Sequence, residues 1–490
     1  MRRLSNETLL DLPSAVTRPA YDRRTVTPGI VHLGIGAFHR AHQAVFVDDC
    51  LARGARDWGI AAASLRSPDT RDALAPQDNL YTVAVRDGEA PGHRVIGSIL
   101  DILVAREDPA RLLARLVDPH TRIVSLTITE KGYAIDIATG ALRREDPDVV
   151  HDLATPAVPR TALGFLVEAI ARRRGAGIPP FTVLCCDNLP RNGETVHRAL
   201  RAFAEARDAD LARHVERDVA CPSTMVDRIV PATTDLDRDG VAQALGLADA
   251  WPVVTEPFVQ WVIEDRFPAG RPALDDVGVM LVDDVTPFET MKLRLLNGAH
   301  TVLAAIGRLA RLETVGEAIA VPVVRRLIDD LWDEVRPTLA ISNAETRAYP
   351  ERLIRRFANP ALPHRTAQIA NDASQKLPQR LLAPLRELRR RNEPCSALVL
   401  AVAAVLRSFE GVDDRGASFT VNDPALTRWA GLPSREASGP GDRTRALLGW
   451  PALFGADLPR DEAFVTAVVA ASEAIAARGI LAVLDERRAG

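Results

Sequence analysis

The stretch that decides the fold is GIVHLGIGAFHRAH, residues 29–42. Its first five residues predict a buried strand, which Gly34-Ile35-Gly36 follows directly, with a helical pattern behind. Two glycines in that position permit a tight turn and a close approach of backbone N–H groups to a pyrophosphate, whose charge the helix N-terminus favours. The third glycine of the G-x-G-x-x-G pattern is replaced by His39, so helix-to-strand packing must differ here. The stretch therefore predicts a dinucleotide-binding turn.

The alternation of strands and helices continues through the first half of the chain. Strand-like apolar runs occupy residues 29–33, 59–65, 122–128 and 181–186. Helical patterns fill the gaps, with examples at residues 41–53, 109–117, 161–173 and 194–207. Beyond about residue 285 the strand-like runs stop, and helices rich in Leu, Ala and Arg follow. We therefore predict a doubly wound α/β domain over residues 1–285 and a mostly α-helical domain over residues 286–490.

The charge balance and the cysteines narrow the class of protein. A formal net charge of -4 provides no global field that would favour nucleic acid or an anionic membrane. The five cysteines are scattered and lack metal-type spacing, which suits a reducing compartment. No apolar run reaches the roughly 18 residues of a membrane span, and no signal-peptide pattern is present. We expect a cytoplasmic protein without a nucleic-acid, membrane or obligate protein partner.

Lysine is rare in this chain, since only Lys131, Lys292 and Lys376 occur among 61 basic residues. Because arginine supplies nearly all of the basic residues, the few lysines are expected mainly at positions where arginine could not replace them. Arginine stays protonated, whereas burial lowers the pKa of a lysine so that it can exchange a proton near neutral pH. That exchange is what a general base requires. The lysines are therefore candidates for chemistry.

The setting of Lys292 favours a catalytic role over a solvated one. It lies in DVTPFETMKLRLLNGAH, residues 284–300, in which Thr286 is spaced as an N-cap, Pro287 as the first helical residue and Glu289 as the glutamate of a capping box. This pattern predicts a helix whose first helical residue is Pro287. Lys292 falls in its second turn.

Two polar residues follow Lys292 on the same predicted helix. Asn297 and His300 are three residues apart and share a face, and both can hydrogen-bond a hydroxyl or a carbonyl oxygen. Lys292 stands eight residues before His300, about 12 Å of helix rise. On an ideal α-helix the three side chains would not converge on one atom. Either Gly298 bends the helix or the substrate spans the gap.

The choice of nicotinamide cofactor depends on the end of the second strand. An acidic residue there would bind the ribose hydroxyls of NAD, while an arginine could meet the extra phosphate of NADP. The strand ends Leu65-Arg66-Ser67-Pro68-Asp69, which offers both. We favour NAD and leave NADP open. The histidines His32, His39 and His42 have poor spacing for a metal and are expected to be structural or to line the cofactor site.

Several motifs stand in order along the chain. They are Gly34-x-Gly36-x-Phe38-x-Arg40-x-His42, Thr129-Glu130-Lys131-Gly132-Tyr133, Cys186-Asp187-Asn188-Leu189-Pro190-x-Asn192-Gly193, Val226-Asp227-Arg228-Ile229-Val230-Pro231, Glu256-Pro257-Phe258-x-Gln260-Trp261 and Lys292-x4-Asn297-x2-His300. From about residue 28 to 480, the chain thereby resembles the long-chain mannitol dehydrogenase family. The resemblance implies a metal-independent polyol or sugar-acid dehydrogenase with an N-terminal Rossmann-type domain and a helical C-terminal domain.

The resemblance also implies residue roles. Lys292 matches the family's general base, and Asn297 with His300 match its oxyanion-stabilising and substrate-orienting pair. Glu289 matches a glutamate that connects the lysine to solvent, a role that competes with capping. Asn188 and Asp227 match substrate-hydroxyl contacts, although both would also suit turns. The residues expected at the cofactor are Gly34, Gly36, Phe38, Arg40, Arg66, Asp69, Glu130 and Lys131.

Residues 364–380, HRTAQIANDASQKLPQR, most resemble the fructuronate reductase (D-mannonate oxidoreductase) branch of the family. Mannitol 2-dehydrogenases tend to carry an arginine where Gln368 stands. Arg365, Lys376 and Arg380 would form a cationic rim suited to a sugar carboxylate, with solvated helix charges as the alternative.

The expected activity is therefore NAD-dependent interconversion of D-mannonate and D-fructuronate. Oxidation of a neutral polyol such as D-mannitol or D-arabinitol to its ketose is the alternative within the family. A nucleotide-binding epimerase and a non-catalytic nucleotide sensor are alternatives from other classes. Net reduction of the nicotinamide distinguishes a dehydrogenase from an epimerase, because an epimerase returns the hydride to the same carbon.

Overall fold

The computed structural model describes residues 1–87, 92–136, 140–429, 431, 433 and 438–487. The side chains of Glu130 and Lys131 lie outside this description. The chain divides into two compact units, Met1–Thr286 and Pro287–Gly490.

The first unit contains the strands. They are β1 Val16–Thr17, β2 Pro28–Leu33, β3 Gly59–Ser64, β4 Tyr81–Val85, β5 Gly92–Ile96, β6 Ile99–Val104, β7 Ile123–Leu126, β8 Thr182–Cys185, β9 Thr224–Asp227, β10 Val253–Thr255, β11 Gln260–Glu264 and β12 Met280–Val282. Its helices are α1 Ala37–Ala41, α2 Gln43–Ala52, α3 Asp69–Leu74, α4 Pro109–Val117, α5 Pro147–Ala154, α6 Ala162–Gly175, α7 Asn192–Arg207, α8 Ala209–Asp218 and α9 Asp235–Leu245.

Five parallel strands form the central sheet in the order β6-β3-β2-β7-β8. This order is that of a Rossmann-type sheet, and it confirms the predicted α/β domain. Both faces of the sheet are covered, since alternate side chains of a strand point to opposite faces and pack into two different hydrophobic cores. In β2, Val31 and Leu33 belong to one core and Ile30 to the other. The four strands predicted from the sequence are β2, β3, β7 and β8 of this sheet, each within two residues of its observed ends, whereas the fifth strand, β6, was not predicted.

Two smaller sheets flank the central sheet and were not predicted. One has the order β1-β5-β4-β10, and the other has the order β12-β11-β9. In the second sheet, β9 and β11 are antiparallel and pair Asp227 with Gln260. The predicted helix over residues 41–53 is found as α2, Gln43–Ala52. His42, with φ -124° and ψ -87°, separates α1 from α2, so the helix that follows the glycine turn is only five residues long.

The second unit is helical throughout its regular structure in the described residues, which confirms the prediction. Its helices are α10 Thr286–Met291, α11 Gly298–Ala310, α12 Val315–Ala320, α13 Pro322–Val335, α14 Asn343–Phe357, α15 Thr366–Ile369, α16 Ala373–Leu377, α17 Ala383–Arg390, α18 Ser396–Ser408, α19 Pro424–Arg428, α20 Pro440–Leu448, α21 Pro451–Phe454, α22 Glu462–Arg478 and α23 Ile480–Glu486. Two π-helical segments, Lys292–Asn297 and Pro378–Leu382, interrupt these helices and pack against each other.

The described helices are shorter or more polar than a membrane-spanning helix. Across the described ranges, no single helix is long and apolar enough to cross a membrane; α22 and α23 reach that length and hydropathy only together, bent by 116°. All five cysteines are free and buried.

Candidate active site

The glycine turn after β2 has a conformation that requires glycine at its first position. Gly34 has φ +101°, and a Cβ atom there would lie 2.1 Å from the carbonyl oxygen of Thr127. A side chain is therefore excluded by backbone conformation and by space. Gly36 caps α1 in an extended conformation. The backbone of this turn can approach a ligand as closely as a pyrophosphate requires.

The position of the turn in the sheet also suits a dinucleotide. The chain passes from β2 to β3 and β6 on one side of β2, and then continues from β7 to β8 on its other side. Ligands of such sheets bind beyond the carboxyl ends of the strands at this switch point. The turn at Gly34 follows β2, and residues 127–129 follow β7, so these two segments flank the expected crevice.

A buried histidine joins those two strand ends. The Nε2 atom of His32 lies 3.2 Å from the Gly34 carbonyl oxygen and 2.9 Å from Thr127 Oγ1, and Nδ1 lies 2.8 Å from Ser125 Oγ. A carbonyl oxygen only accepts, so Nε2 carries the proton and Nδ1 accepts from the Ser125 hydroxyl. Burial lowers the pKa of His32 to about 3, so the ring stays neutral. The ring of His39 stacks on it at 3.3 Å. Among the residues the structure describes, no group of His, Cys, Asp or Glu could hold a metal ion.

Two of the predicted cofactor residues lie in α1. Arg40 is only 1% exposed, donates to the carbonyl oxygen of Trp251 at 2.5 Å, and lies over the ring of Tyr81. Burial lowers the pKa of this guanidinium. Its side chain is thus inside the unit, where it ties α1 to neighbouring segments. The ring of Phe38 stacks on that of His42 at 5.1 Å.

The remaining predicted cofactor residues occupy loops at other strand ends. Arg66 and Asp69 are both exposed beyond β3, where Asp69 begins α3. Their exposure leaves both groups available to a ribose or a phosphate. Glu130 and Lys131 follow β7, but their side chains lie outside the described residues.

Residue Thr129 lies in strained backbone at the end of β7. Its φ of +64° and ψ of 160° fall in a region that is essentially restricted to glycine, at a cost on the order of 1–3 kcal/mol. The carboxylate of Asp187, which follows β8, accepts from the backbone N–H groups of Ile128 at 2.9 Å and Thr129 at 3.0 Å. It also accepts from the Tyr133 hydroxyl at 2.7 Å. Burial raises the pKa of Asp187, and these hydrogen bonds oppose that shift.

The two predicted substrate residues of the first unit differ in exposure. Asn188 is exposed directly after Asp187, whereas Asp227 is 4% exposed at the end of β9. The amide of Asn192 links these regions, since its Nδ2 atom donates to the carbonyl oxygens of Asp187 and Thr224. Asn188 therefore lies in the loop after β8 and Asp227 is the last residue of β9, while Asn192 joins the segment after β8 to Thr224 at the start of β9.

In the second unit, the predicted catalytic stretch begins as expected. Helix α10 starts at Thr286, whose backbone N–H donates to the Asp284 carboxylate at 2.8 Å. Glu289 lies half-buried in its first turn, three residues before Lys292. The helix then widens, because Lys292–Asn297 is π-helical.

The π-helical segment changes which side chains share a face. In an α-helix, residues five apart are separated by about 140° around the axis. In a π-helix, hydrogen bonds join residues five apart, so such residues lie one above the other. Lys292 and Asn297 are five apart, and His300 follows Asn297 by three in α11. The widened turn therefore brings Lys292 onto the side of the helix that carries Asn297 and His300.

The three residues differ in burial. Lys292 and Asn297 are half-buried, and His300 is 7% exposed. The imidazole of His300 packs on the ring of Phe357 at 4.8 Å and meets His364 edge to face at 5.1 Å. Burial lowers the pKa of His364, so a neutral ring faces His300.

The second π-helical segment places Arg380 beside the first one. Its guanidinium donates to the Thr301 hydroxyl at 3.1 Å and to the Asn297 carbonyl oxygen at 3.4 Å. Pro384 supplies a local cause for this segment, because it lacks the N–H that the carbonyl of Arg380 would accept in an α-helix, and its ring would clash with that carbonyl. Instead, the Arg380 carbonyl faces Gly298, where an added Cβ would be 3.4 Å away.

The other two cations of the expected rim are held differently. Lys376 donates to the carbonyl oxygens of Ile369 and Asn371 at the end of α15. The side chain of Arg365 is 72% exposed, and its nearest carboxylate oxygen, of Glu313, is 3.8 Å away. Of the three, Arg380 is the cation that the structure brings to the Asn297 segment.

Sequence reasoning missed Asp187 and His364. Asp187 stood in a quoted motif directly after a strand-like run, which is a usable signal for a residue at the sheet edge. His364 gave no signal of its own, because only the packing of α14 and the loop before α15 brings it to His300.

Both units match family models. The model of the mannitol dehydrogenase Rossmann domain matches residues 28–276, and the model of the mannitol dehydrogenase C-terminal domain matches residues 284–476. The chain belongs to the mannitol dehydrogenase family. It is therefore an oxidoreductase of that family, as the motifs predicted.

Individual members of the mannitol dehydrogenase family are similar over nearly the whole chain. The oxidoreductase YeiQ of Escherichia coli is 45% identical and covers 93% of this chain and 94% of its own. The D-mannonate oxidoreductase of Escherichia coli is 43% identical and covers 96% of this chain and 98% of its own. Pseudomonas fluorescens mannitol 2-dehydrogenase, solved as a ternary complex with NAD and D-mannitol, is 39% identical, covers 99% of both chains and has a TM-score of 0.87.

Proposed function

We propose that this protein interconverts D-mannonate and D-fructuronate with NAD as the hydride acceptor. The observation that carries the proposal is the π-helical geometry of Lys292–Asn297, which favours a common side for Lys292, Asn297 and His300, together with the hydrogen bond from Arg380 to the Asn297 carbonyl oxygen. The identity of 43% to a D-mannonate oxidoreductase supports the substrate class.

The residues of the second unit have complementary roles in this reaction. In the oxidation direction, Lys292 in its neutral form takes the proton of the substrate hydroxyl. Asn297 and His300 donate to the oxygen on which negative charge develops and hold the substrate in register. In the reduction direction, protonated Lys292 returns the proton to the carbonyl oxygen. Glu289 is proposed to connect Lys292 to solvent.

The first unit is proposed to hold the dinucleotide. Gly34 and Gly36 form the turn after β2, in which Gly34 packs against Thr127 without room for a side chain, while the nearest atom to a Cβ at Gly36 would be 3.9 Å away, which leaves its backbone open to close contact with a pyrophosphate. Bound NAD would accept a hydride from the substrate carbon. Asp69 suits the ribose hydroxyls, and Arg66 leaves NADP as a second acceptor to test. Asn188 and Asp227 are proposed to contact substrate hydroxyls.

The carboxylate of the sugar acid is assigned to Arg380. A guanidinium can bind a carboxylate through two parallel hydrogen bonds. Arg380 already lies within hydrogen-bond distance of the Asn297 carbonyl oxygen, so a carboxylate bound there would lie near the catalytic stretch. Lys376 and Arg365 are the other two cations of the expected rim; Lys376 is anchored on backbone carbonyls and Arg365 is exposed, so neither is assigned a direct contact with the carboxylate.

A second candidate is the oxidation of D-mannitol to its ketose. It is favoured by the likeness to the Pseudomonas fluorescens mannitol 2-dehydrogenase across the full length. A neutral polyol has no charged group for Arg380 to bind, and this difference separates the two candidates.

The decisive experiment is a substrate panel with the purified protein. The rate of nicotinamide reduction is measured with D-mannonate, D-mannitol and D-arabinitol, each with NAD and with NADP. We expect kcat/KM for D-mannonate to exceed that for D-mannitol by about 10- to 100-fold, since one charge-assisted contact contributes roughly 1.5–3 kcal/mol. A preference for D-mannitol would reject the sugar-acid assignment, and an absence of net nicotinamide reduction with every substrate would reject a dehydrogenase.

A further inference from the structure

A side chain outside the expected contact residues controls the segment after β7. Asp187 stands at the end of β8, and its carboxylate reaches the neighbouring strand end, where it accepts from the N–H groups of Ile128 and Thr129. The third donor to this carboxylate is the hydroxyl of buried Tyr133. One acid group thus fixes both ends of residues 128–133.

The segment held by Asp187 does not adopt a relaxed backbone. Thr129 is β-branched and exposed, yet it has φ +64° and ψ 160°. Such conformations persist only where the surroundings over-determine them, and they cluster at functional sites. In this segment the Asp187 carboxylate provides that constraint, since it accepts from the backbone N–H groups of both Ile128 and Thr129. Strain at an exposed residue is therefore maintained by a partly buried acid.

The strained segment follows directly on Thr127, which contacts the glycine turn. The hydroxyl of Thr127 donates to the Gly34 carbonyl oxygen at 2.8 Å, and the Thr127 carbonyl oxygen occupies the space that a Cβ of Gly34 would need. A connected path therefore runs from Asp187 through residues 127–129 to the turn that flanks the switch point.

We propose that Asp187 is a positioning residue for dinucleotide binding, which it promotes by holding residues 127–129 in the strained conformation that docks on the Gly34 turn. It touches neither the substrate nor the reacting atoms. This inference rests on the proposed NAD-dependent function, and it extends that function to the residue that sets the affinity for the dinucleotide. A role limited to stability would leave that affinity unchanged in the folded protein.

The test is a titration of NADH into the purified full-length protein, followed by nicotinamide fluorescence and without any substrate. We expect Asp187→Ala to raise the Kd for NADH by about tenfold or more, because residues 127–129 would hold the binding conformation in only a fraction of the molecules and the Kd rises by the inverse of that fraction. Asp187→Asn keeps one acceptor oxygen and the side-chain volume, and we expect an intermediate Kd. In turnover, the KM for NAD should rise in both variants while kcat at saturating NAD changes little.

Asp249 provides a matched control. It is also a buried acid with a raised pKa, and it accepts from Gln77 and from the backbone N–H groups of Thr82 and Trp251 in the β1-β5-β4-β10 sheet region. Asp249→Asn should lower the temperature of unfolding at least as much as Asp187→Asn and leave the Kd for NADH unchanged.

A second variant tests the strain itself. Glycine adopts the Thr129 conformation without cost, so Asp187→Ala should weaken NADH binding less in a Thr129→Gly background than in the unmodified protein. If folded Asp187→Ala and Asp187→Asn bind NADH as tightly as the unmodified protein does, the positioning role is wrong while the proposed function stands. If the unmodified protein does not bind NADH, both are wrong.

Discussion

The glycine turn at residues 34–36 and the π-helical segment Lys292–Asn297 both place functional groups, but they obtain their geometry in different ways. The turn follows from local chemistry, because the φ of Gly34 and the lack of space for a Cβ permit only glycine. The π-helical segment has no such marker, since its sequence KLRLLN consists of ordinary helix formers. Its widening accompanies packing against a second π-helical segment, Pro378–Leu382, which has a local cause in Pro384, two residues after its end.

The difference indicates how each region should respond to mutation. At the turn, one added carbon removes the geometry, and the damage should appear in dinucleotide binding. In the π-helical region, geometry is distributed over packed helices, so the large effects should come from loss of the functional groups themselves.

The largest effect is expected at Lys292. Lys292→Arg and Lys292→Ala should both reduce kcat by about 10²- to 10⁴-fold, because a guanidinium cannot give up its proton and alanine has no base. Circular dichroism should show an intact fold, and the Kd for NADH should be unchanged. A Lys292→Arg enzyme with a substantial part of the original kcat would contradict the assignment of Lys292 as the base.

The next effect is expected at Gly34. Gly34→Ala would force a Cβ to within 2.1 Å of the Thr127 carbonyl oxygen and strain a φ of +101°. The Kd for NADH should rise at least tenfold, as about 1–3 kcal/mol of strain implies. Gly246→Ala is the matched control, because Gly246 has φ +67° but no atom near its missing Cβ. It should lower stability and leave NADH binding intact, and equal effects of the two variants on binding would contradict the role of the turn.

A smaller and substrate-dependent effect is expected at the cationic rim. Arg380→Ala should raise the KM for D-mannonate by about tenfold or more through loss of a charge-assisted contact, while any activity on D-mannitol changes much less. Arg365→Ala should change the KM for D-mannonate by less than about twofold, because its exposed guanidinium is solvated. If the Arg365 variant loses more D-mannonate affinity than the Arg380 variant, the carboxylate has been assigned to the wrong arginine.

The smallest effect is expected at Pro384. In Pro384→Ala, an N–H becomes available to the carbonyl of Arg380, so the segment Pro378–Leu382 can tighten toward an α-helix and shift Arg380. We expect a few-fold fall in kcat/KM for D-mannonate without loss of thermal stability. Pro350→Ala is the control, because Pro350 also lies within a helix but no π-helical segment precedes it. Equal falls in both variants would mean that Pro384 does not act through Arg380.

The sequence predicted those parts of the molecule that depend on local residue chemistry. The turn after β2, four of the five central strands and the start of α10 follow from glycine, β-branched runs and capping residues, and each is found within two residues of where it was expected. The family motifs identified the mannitol dehydrogenase family, which the two domain models confirm. The roles of Lys292, Asn297 and His300 remain predictions.

The features that could not be predicted depend on contacts distant in sequence. The break at His42 accompanies a hydrogen-bond contact between its Nε2 atom and the carbonyl oxygen of Gln260, 218 positions away. The alignment of Lys292 with Asn297 required a π-helical turn, whereas an ideal α-helix separates them. The reach of Asp187 to Thr129 required the parallel pairing of β7 with β8. In each case the deciding partner lies on another element of the chain.

Chemical rescue of Lys292→Ala tests the central claim most directly. The initial rate of D-mannonate oxidation is measured at fixed pH while a small primary amine is added over a range of concentrations. If Lys292 is the general base, the rate should rise in proportion to the unprotonated amine, and Lys292→Arg, whose side chain fills the site, should not respond. A rate that is independent of the amine in Lys292→Ala, together with an active Lys292→Arg enzyme, would contradict the account.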